Sequence, residues 1–317
     1  MKKIKLNSGY DMPIVGLGTW LSESNQVYNI VKQALEMGYR HIDCAAVYGN
    51  EKEVGKALKE SITDGIVKRE EVFITSKLWN TEHKKEDVLP ALEQSLNDLE
   101  VEYLDLYLMH WPVAIKKNSN FPLSAQDFIS LEEIPLNETY EAMEGLVKNN
   151  LCRSIGVSNF SLKKLKELQS NCEISPAVNQ VELHPYLSQN NLLNYCKEQN
   201  IVLTCYSPLG SSGRPDQMKA ENEPRIMDDL AIKSLAQKYN KSEAQIILNW
   251  SISRGTIVIP KTVTPSRAEQ NLKSQDFTME TEDYKKVDEL DRHYRFVTGE
   301  FFTPEGCVYT ISNLWDE

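Results

Sequence analysis

Four ionisable side chains stand just past short apolar runs, and their types suit one kind of reaction. Asp43 follows His41-Ile42, Tyr48 comes a few residues later, Lys77 closes Val72-Phe73-Ile74-Thr75-Ser76, and His110 closes Tyr107-Leu108-Met109. A tyrosine near its ordinary pKa of ~10 is a poor acid at neutral pH. A lysine ammonium beside it favours the phenolate and lowers that value. A carboxylate such as Asp43 can hold the lysine charged and oriented, and His110 can donate a hydrogen bond to a carbonyl oxygen. Such a set polarises a carbonyl and delivers a proton without a metal. Any one of the four alone reads as readily as a surface or salt-bridged residue. Four on adjacent strand ends are much harder to ascribe to chance.

Residues so far apart meet only if the chain brings strand ends together. Short apolar runs occur at Ile14–Leu17, His41-Ile42, Val72–Ile74, Leu104–Met109, Ile155–Val157, Ala177–Val181, Ile201–Leu203 and Ile257–Ile259, which makes eight candidate strands. Between them lie amphipathic stretches with helical spacing: Val27, Ile30, Val31, Ala34 and Leu35; Val88, Leu89, Leu92 and Leu96; then 139–147, 161–168, 189–196, 229–239, 242–252 and 265–273. Strand alternating with helix predicts a parallel sheet, and eight such units predict a closed (β/α)8 TIM barrel. The opening, with Ile4 and Leu6, a turn at Asn7-Ser8-Gly9, then Met12 and Ile14, reads as a hairpin. Residues 112–134 and 207–228 become long βα loops, and the tail from 292 onward is aromatic and irregular. In such a barrel the βα loops surround the mouth where strand ends converge.

Composition removes several alternatives. With 35 Lys and Arg against 46 Asp and Glu, the formal net charge is −11, which should repel nucleic acid and anionic membrane. The six cysteines, at 44, 152, 172, 196, 205 and 307, form no Cys-x-x-Cys pair and no Cys/His spacing typical of zinc, so no metal site is expected. They read as reduced thiols in a reducing compartment. The first residues lack the apolar segment of a signal peptide, and no stretch approaches the ~20 apolar residues of a membrane span, so a cytoplasmic location is expected. Gly-x-Gly-x-x-Gly, Walker, Gly-x-Ser-x-Gly and His-Glu-x-x-His motifs are all missing.

Three ordered segments resemble the signatures of the aldo-keto reductases. They are Gly38-Tyr39-Arg40-His41-Ile42-Asp43-Cys44-Ala45 with Glu51 and Val54-Gly55; Met143 through Ile155-Gly156-Val157-Ser158-Asn159-Phe160; and Ile259-Pro260-Lys261-Thr262 with Arg267 and Asn271. The similarity runs from about residue 4 to 295, and is greatest to aldose and aldehyde reductases. The tail from Thr298-Gly299-Glu300 to Leu314-Trp315-Asp316 is more like that of the plant-type aldehyde reductases. The resemblance implies a single barrel domain over 1–317, with a C-terminal substrate loop at 292–317. It implies a monomer that reduces small aldehydes, aldoses and some ketones to alcohols. NADPH would be the cofactor, with NADH a weaker substitute. Tyr48 would protonate the forming alkoxide, Lys77 and Asp43 would tune it, and His110 would orient the carbonyl.

The same resemblance implies a cofactor site. Gly18, Thr19 and Trp20 would pass near the nicotinamide ribose and pyrophosphate. Ser158, Asn159 and Gln180 would hold the carboxamide, and Tyr206 would stack on the ring. Ser207, Leu209 and Ser211 would line the pyrophosphate. Lys261, Thr262 and Arg267 would grip the 2′-phosphate, with Asn271 and Gln270 near the adenine; a Lys and an Arg beside a helix start are also a sound anion site on physical grounds. Trp20, Val47, Trp79, His110, Trp111 and Phe121 would wall the substrate pocket. Aldose reductases carry a Lys where this chain has Leu21 and an Asp where it has Gly213, so the ion pair that latches their loop over the cofactor is not expected here. Arg214 or Asp216 could replace it from a shifted position. Two other readings stay open: a sugar-phosphate reductase, for which Arg292, His293 and Arg295 are the candidate clamp, and a barrel that binds nicotinamide without catalysis. The intact Asp43, Tyr48, Lys77, His110 set argues against the second.

Overall fold

The computed structural model describes residues 1–317. The expected hairpin is present, with β1 (Lys3–Lys5) antiparallel to β2 (Asp11–Pro13) and Ile4 opposite Met12. Next come β3 (Leu17–Gly18), α1 (Ser24–Met37), β4 (His41–Asp43), α2 (Glu51–Thr63), β5 (Phe73–Leu78), α3 (Lys85–Leu99) and β6 (Leu106–Met109). The long loop after β6 carries a small antiparallel pair, β7 (Ala114–Ile115) and β8 (Phe128–Ile129). The alternation resumes with α4 (Leu136–Lys148), β9 (Ile155–Ser158), α5 (Leu162–Gln169), β10 (Val178–Glu182), α6 (Asn190–Glu198) and β11 (Val202–Tyr206). After the second long loop come α7 (Leu230–Tyr239), α8 (Glu243–Ser253), β12 (Ile257–Val258), α9 (Pro265–Leu272), α10 (Thr281–Asp288) and α11 (Ile311–Trp315).

The eight parallel strands lie in the order β3-β4-β5-β6-β9-β10-β11-β12. The sheet then closes on itself: Val15 bridges Val258 and Gly18 bridges Lys261, both parallel. A Cβ on Gly18 would lie 2.8 Å from the Ile259 carbonyl oxygen, so this seam closes only over glycine. The fold is therefore the (β/α)8 barrel that the alternation predicted.

Side chains two apart on a strand share a face, and this places the site. Inside the barrel at the hairpin end, nine buried apolar residues pack together, among them Leu6 and Met12 from the hairpin with Phe73, Leu106, Leu108, Val178 and Val202. Continuing each inward row toward the mouth gives Lys77 beyond Phe73, His110 beyond Leu108, Gln180 and Glu182 beyond Val178, and Tyr206 beyond Val202. The interior thus changes from apolar at one end to polar at the other. The outward rows bury against the helices in a much larger core of 56 residues, including Tyr107, Met109, Ile155, Val157 and Trp250.

Three helices were not anticipated. In α2 the buried face consists of Glu51, Val54, Gly55, Ala57, Leu58 and Ser61. Gly55 is there because a Cβ would sit 2.5 Å from the Asp98 carbonyl oxygen of α3. Small residues at a close helix crossing weaken the apolar periodicity that reveals a helix. Helix α10 buries only Asp283 and Val287, and α11 is one short turn with a capping box at Thr310 and Asn313.

Candidate active site

The chain ends of β4, β5 and β6 bring the four predicted residues together. Lys77 is fully buried; its Nζ donates to Asp43 Oδ1 at 2.6 Å and to the Cys44 carbonyl at 2.7 Å. The Tyr48 hydroxyl is 3.5 Å from the same nitrogen, a longer contact. Asp43 Oδ2 accepts from Gln180 Nε2 at 2.7 Å, so both carboxylate oxygens are engaged. The Tyr48 and His110 rings meet edge to face with centroids 5.8 Å apart, and Trp79 packs against His110 at 5.2 Å.

Burial controls the electrostatics. It would pull Lys77 down, but Asp43 outweighs it and holds the ammonium above its ordinary pKa. Burial also lifts the Tyr48 phenol above its ordinary value, and the opposing pull of Lys77 does not reverse it. Lys77 thus acts on the phenol in the expected direction, but burial outweighs it and the phenol stays protonated. His110 is pushed well below its usual value, first by burial and then by Lys77 and His83. Its Nδ1 is buried without a partner, which leaves Nε2 to face the cleft.

A cleft of about 1300 Å³ opens over these residues. Every residue expected to hold cofactor or wall the pocket lines it, from Gly18, Thr19 and Trp20 through Ser158, Asn159, Gln180 and Tyr206 to Lys261, Thr262, Arg267, Gln270 and Asn271. Val47, Trp79, Trp111 and Phe121 line it as well, together with Tyr48, His110 and Asp43; Lys77 lies just beneath. At the β9–β11 wall the polar groups form a fixed chain. Ser158 Oγ donates to the Gln180 carbonyl at 2.8 Å, Asn159 Nδ2 to the His110 carbonyl at 2.9 Å, and Tyr206 OH to Asn159 Oδ1 at 2.7 Å. At the far end Arg267 is exposed on the first turn of α9, and Lys261 Nζ donates to the Leu21 carbonyl at 3.0 Å. This donor set fits a dinucleotide carrying an extra phosphate: amide and hydroxyl groups at one end, cations beside a helix start at the other.

Neither Arg214 nor Asp216 spans the cleft. Arg214 is buried, pairs with Glu223 and donates to the Ser211 and Met218 carbonyls, all in its own loop. Asp216 pairs with Lys219. The three basic residues of the tail lie outside the cleft lining: Arg292 pairs with Asp229, Arg295 stacks on Trp315 and pairs with Glu317, and His293 is exposed. Sequence reasoning missed Val297 and Phe301, which also line the cleft, and Glu182, which holds their segment. The place of Glu182, two residues beyond Gln180 on an inward row, was the available signal.

No helix is long and apolar enough to cross a membrane, and all six cysteines are free. The sequence model of the Aldo/keto reductase family matches residues 14–292. An aldo/keto reductase of Synechocystis sp. is 51% identical over 317 residues, covering 100% of this chain and 97% of the relative. Aldo-keto reductase family 1 member A1 of Sus scrofa is 49% identical over 296 residues, and that of Homo sapiens 48%, each covering 93% of this chain and 90% of the relative. With a barrel whose mouth gathers these groups, the chain is a carbonyl oxidoreductase by class. It belongs to the aldo/keto reductase family, whose members work with nicotinamide cofactors.

Proposed function

We propose that this enzyme reduces aldehydes and aldoses, and some ketones, with NADPH, and that Tyr48 is its general acid. The observation that carries this reading is a half-buried phenol kept protonated at the floor of the cleft, 3.5 Å from a lysine that is itself fixed by Asp43. A bound reduced nicotinamide would supply a hydride to the carbonyl carbon. Ser158, Asn159 and Gln180 would hold its carboxamide, Tyr206 its ring, and Lys261 and Arg267 the 2′-phosphate. The substrate oxygen would sit between Tyr48 and His110. The neutral His110, with its proton on Nε2, donates a hydrogen bond that orients the oxygen. As negative charge grows there, Tyr48 gives up its proton, and Lys77 stabilises the phenolate left behind.

Aromatic and aliphatic side chains (Trp20, Val47, Trp79, Trp111, Phe121) wall the substrate end, with no cation among them. This supports uncharged aldehydes over sugar phosphates, since the basic tail residues face away. The test is a spectrophotometric screen of NADPH oxidation over aldoses, sugar phosphates, aromatic aldehydes and ketosteroids. Turnover of aromatic aldehydes and aldoses well above that of sugar phosphates is expected; a preference for sugar phosphates overturns the substrate assignment.

A further inference from the structure

Glu182 has no place in the chemistry proposed above, yet it is one of the most completely buried carboxylates in the molecule. It lies at the end of β10, two residues beyond Gln180 and on the same inward row. Its Oε1 accepts from the main-chain N–H of Phe296 at 2.6 Å and from His184 Nε2 at 2.8 Å, and its Oε2 from the N–H of Val297 at 2.8 Å. His184 is likewise fully buried; Nε2 is the ring nitrogen that meets Glu182, and Nδ1 has no partner. Its ring packs on Phe296 with centroids 5.0 Å apart. Burial works against the charge on Glu182, but His184 and the two main-chain donors outweigh it and hold the carboxyl below its ordinary pKa.

These donors come from the start of the aromatic tail. Immediately downstream, Val297 and Phe301 line the cleft. Phe301 meets Trp111 at 5.7 Å and Phe121 at 6.2 Å, while Phe302 packs on Trp111 at 5.1 Å and Trp79 at 6.2 Å. One strand therefore grips both sides of the site: Gln180 binds the Asp43 carboxylate, and Glu182 binds the segment that walls the substrate. If the tail moved away, it would leave a charged carboxylate buried without two of its donors, a costly state.

We propose that Glu182 is a positioning residue for substrate selection: it fixes the tail wall at Val297 and Phe301 relative to Tyr48 and His110. This rests on the reading of the cleft as a carbonyl reductase site. Glu182→Gln keeps the shape but turns an amide NH2 toward one of the two main-chain donors. Glu182→Asp keeps the charge but is one methylene too short to reach all three donors. The tail remains anchored further on, where Tyr309 OH donates to the Ile129 carbonyl at 2.7 Å and Lys164 Nζ to Asp316 at 2.6 Å, so both variants should fold.

The probes are propanal, small enough to sit between Tyr48 and His110 without touching the tail, and 2-naphthaldehyde, which must lie against it. In Glu182→Gln, kcat/KM for 2-naphthaldehyde should fall about tenfold through KM, the scale of a lost contact in an apolar pocket, while propanal turnover and NADPH affinity stay within about twofold. Glu182→Asp should show the same split in milder form. An equal fall for both aldehydes, or no change in their ratio, overturns the proposal. A wild-type protein that reduces neither aldehyde overturns the reductase reading instead. Hydrogen exchange at the Phe296 and Val297 amides judges the anchor without turnover: slow exchange in wild type that speeds up in Glu182→Gln supports it, and fast exchange in wild type sinks it.

Discussion

The two ends of the cleft solve opposite problems. At the Tyr48 end, charge is buried and its partners are fixed: Asp43 accepts from Lys77 and Gln180, Asn159 ties His110 to Tyr206, and Trp79 braces His110. At the α9 end Arg267 is exposed and Lys261 holds only a main-chain carbonyl of the opposite lip. A group that must meet a transition state gains from being held in place beforehand, because no reorganisation remains at the moment of reaction. A group that must capture a diffusing anion gains from being free to receive it. On the proposed function, rigidity is concentrated where bonds would change and relaxed where the cofactor would enter and leave.

This contrast predicts that changes at the two ends show up in different rate constants. The largest effect belongs to Tyr48→Phe, which removes the transferable proton alone. Turnover of a good aldehyde should fall by ~10²–10⁴-fold, the usual worth of acid catalysis, with NADPH binding retained. A folded variant that works at the wild-type rate would show that the acid has been misassigned. Next comes Arg267→Ala at the open end. A charge-assisted contact to phosphate is worth about 1.5–3 kcal/mol, so NADPH should bind roughly tenfold or more weakly, with NADH scarcely affected. Titration of protein fluorescence with each cofactor measures this; equal loss for both places the 2′-phosphate elsewhere.

The smallest expected effect concerns the lips of the cleft. Leu21 and Gly213 supply no ion pair across it, and the Arg214–Glu223 pair stiffens only its own loop. Release of NADP⁺ should accordingly be fast, and a new pair made by Leu21→Lys with Gly213→Asp should slow it several-fold relative to either single change, as lid opening often limits such enzymes. Room exists for the change, since a Cβ at Gly213 would meet nothing within 4 Å. Stopped-flow release as fast in the double variant as in the natural chain means the missing pair has no kinetic role.

The parts readable from sequence are those where one residue type serves one local rule. Asp43, Lys77 and His110 each close an apolar run, and strand geometry alone sends them to a common mouth. The barrel followed from the same alternation. What escaped depended on contacts between distant segments. Helix α2 was hidden because its crossing with α3 demands Gly55 where periodicity would show a larger apolar residue. The pair β7–β8 has two residues per strand, too few to show alternation. Glu182 reads as an ordinary strand-end acid until the tail, more than a hundred residues later, folds back onto it. The tuning of Tyr48 by Lys77 has the right sign for the pair, but burial, which spacing does not reveal, set the outcome.

The seam of the barrel bears on how the molecule is made. Strand β3 has β4 on one side, but on the other it can be covered only by the β12 region, through the bridges Val15–Val258 and Gly18–Lys261. As the chain leaves the ribosome, β3 therefore waits with one edge open until the chain has been made through Lys261. Until then the growing sheet has two unpaired margins, the sort of surface that invites association with other chains. Closing the ring joins residues far apart in sequence, a non-local pairing of the kind that forms slowly. Lys261 is part of that seam and also a lip of the cofactor cleft, so the cleft is complete only once the ring has closed.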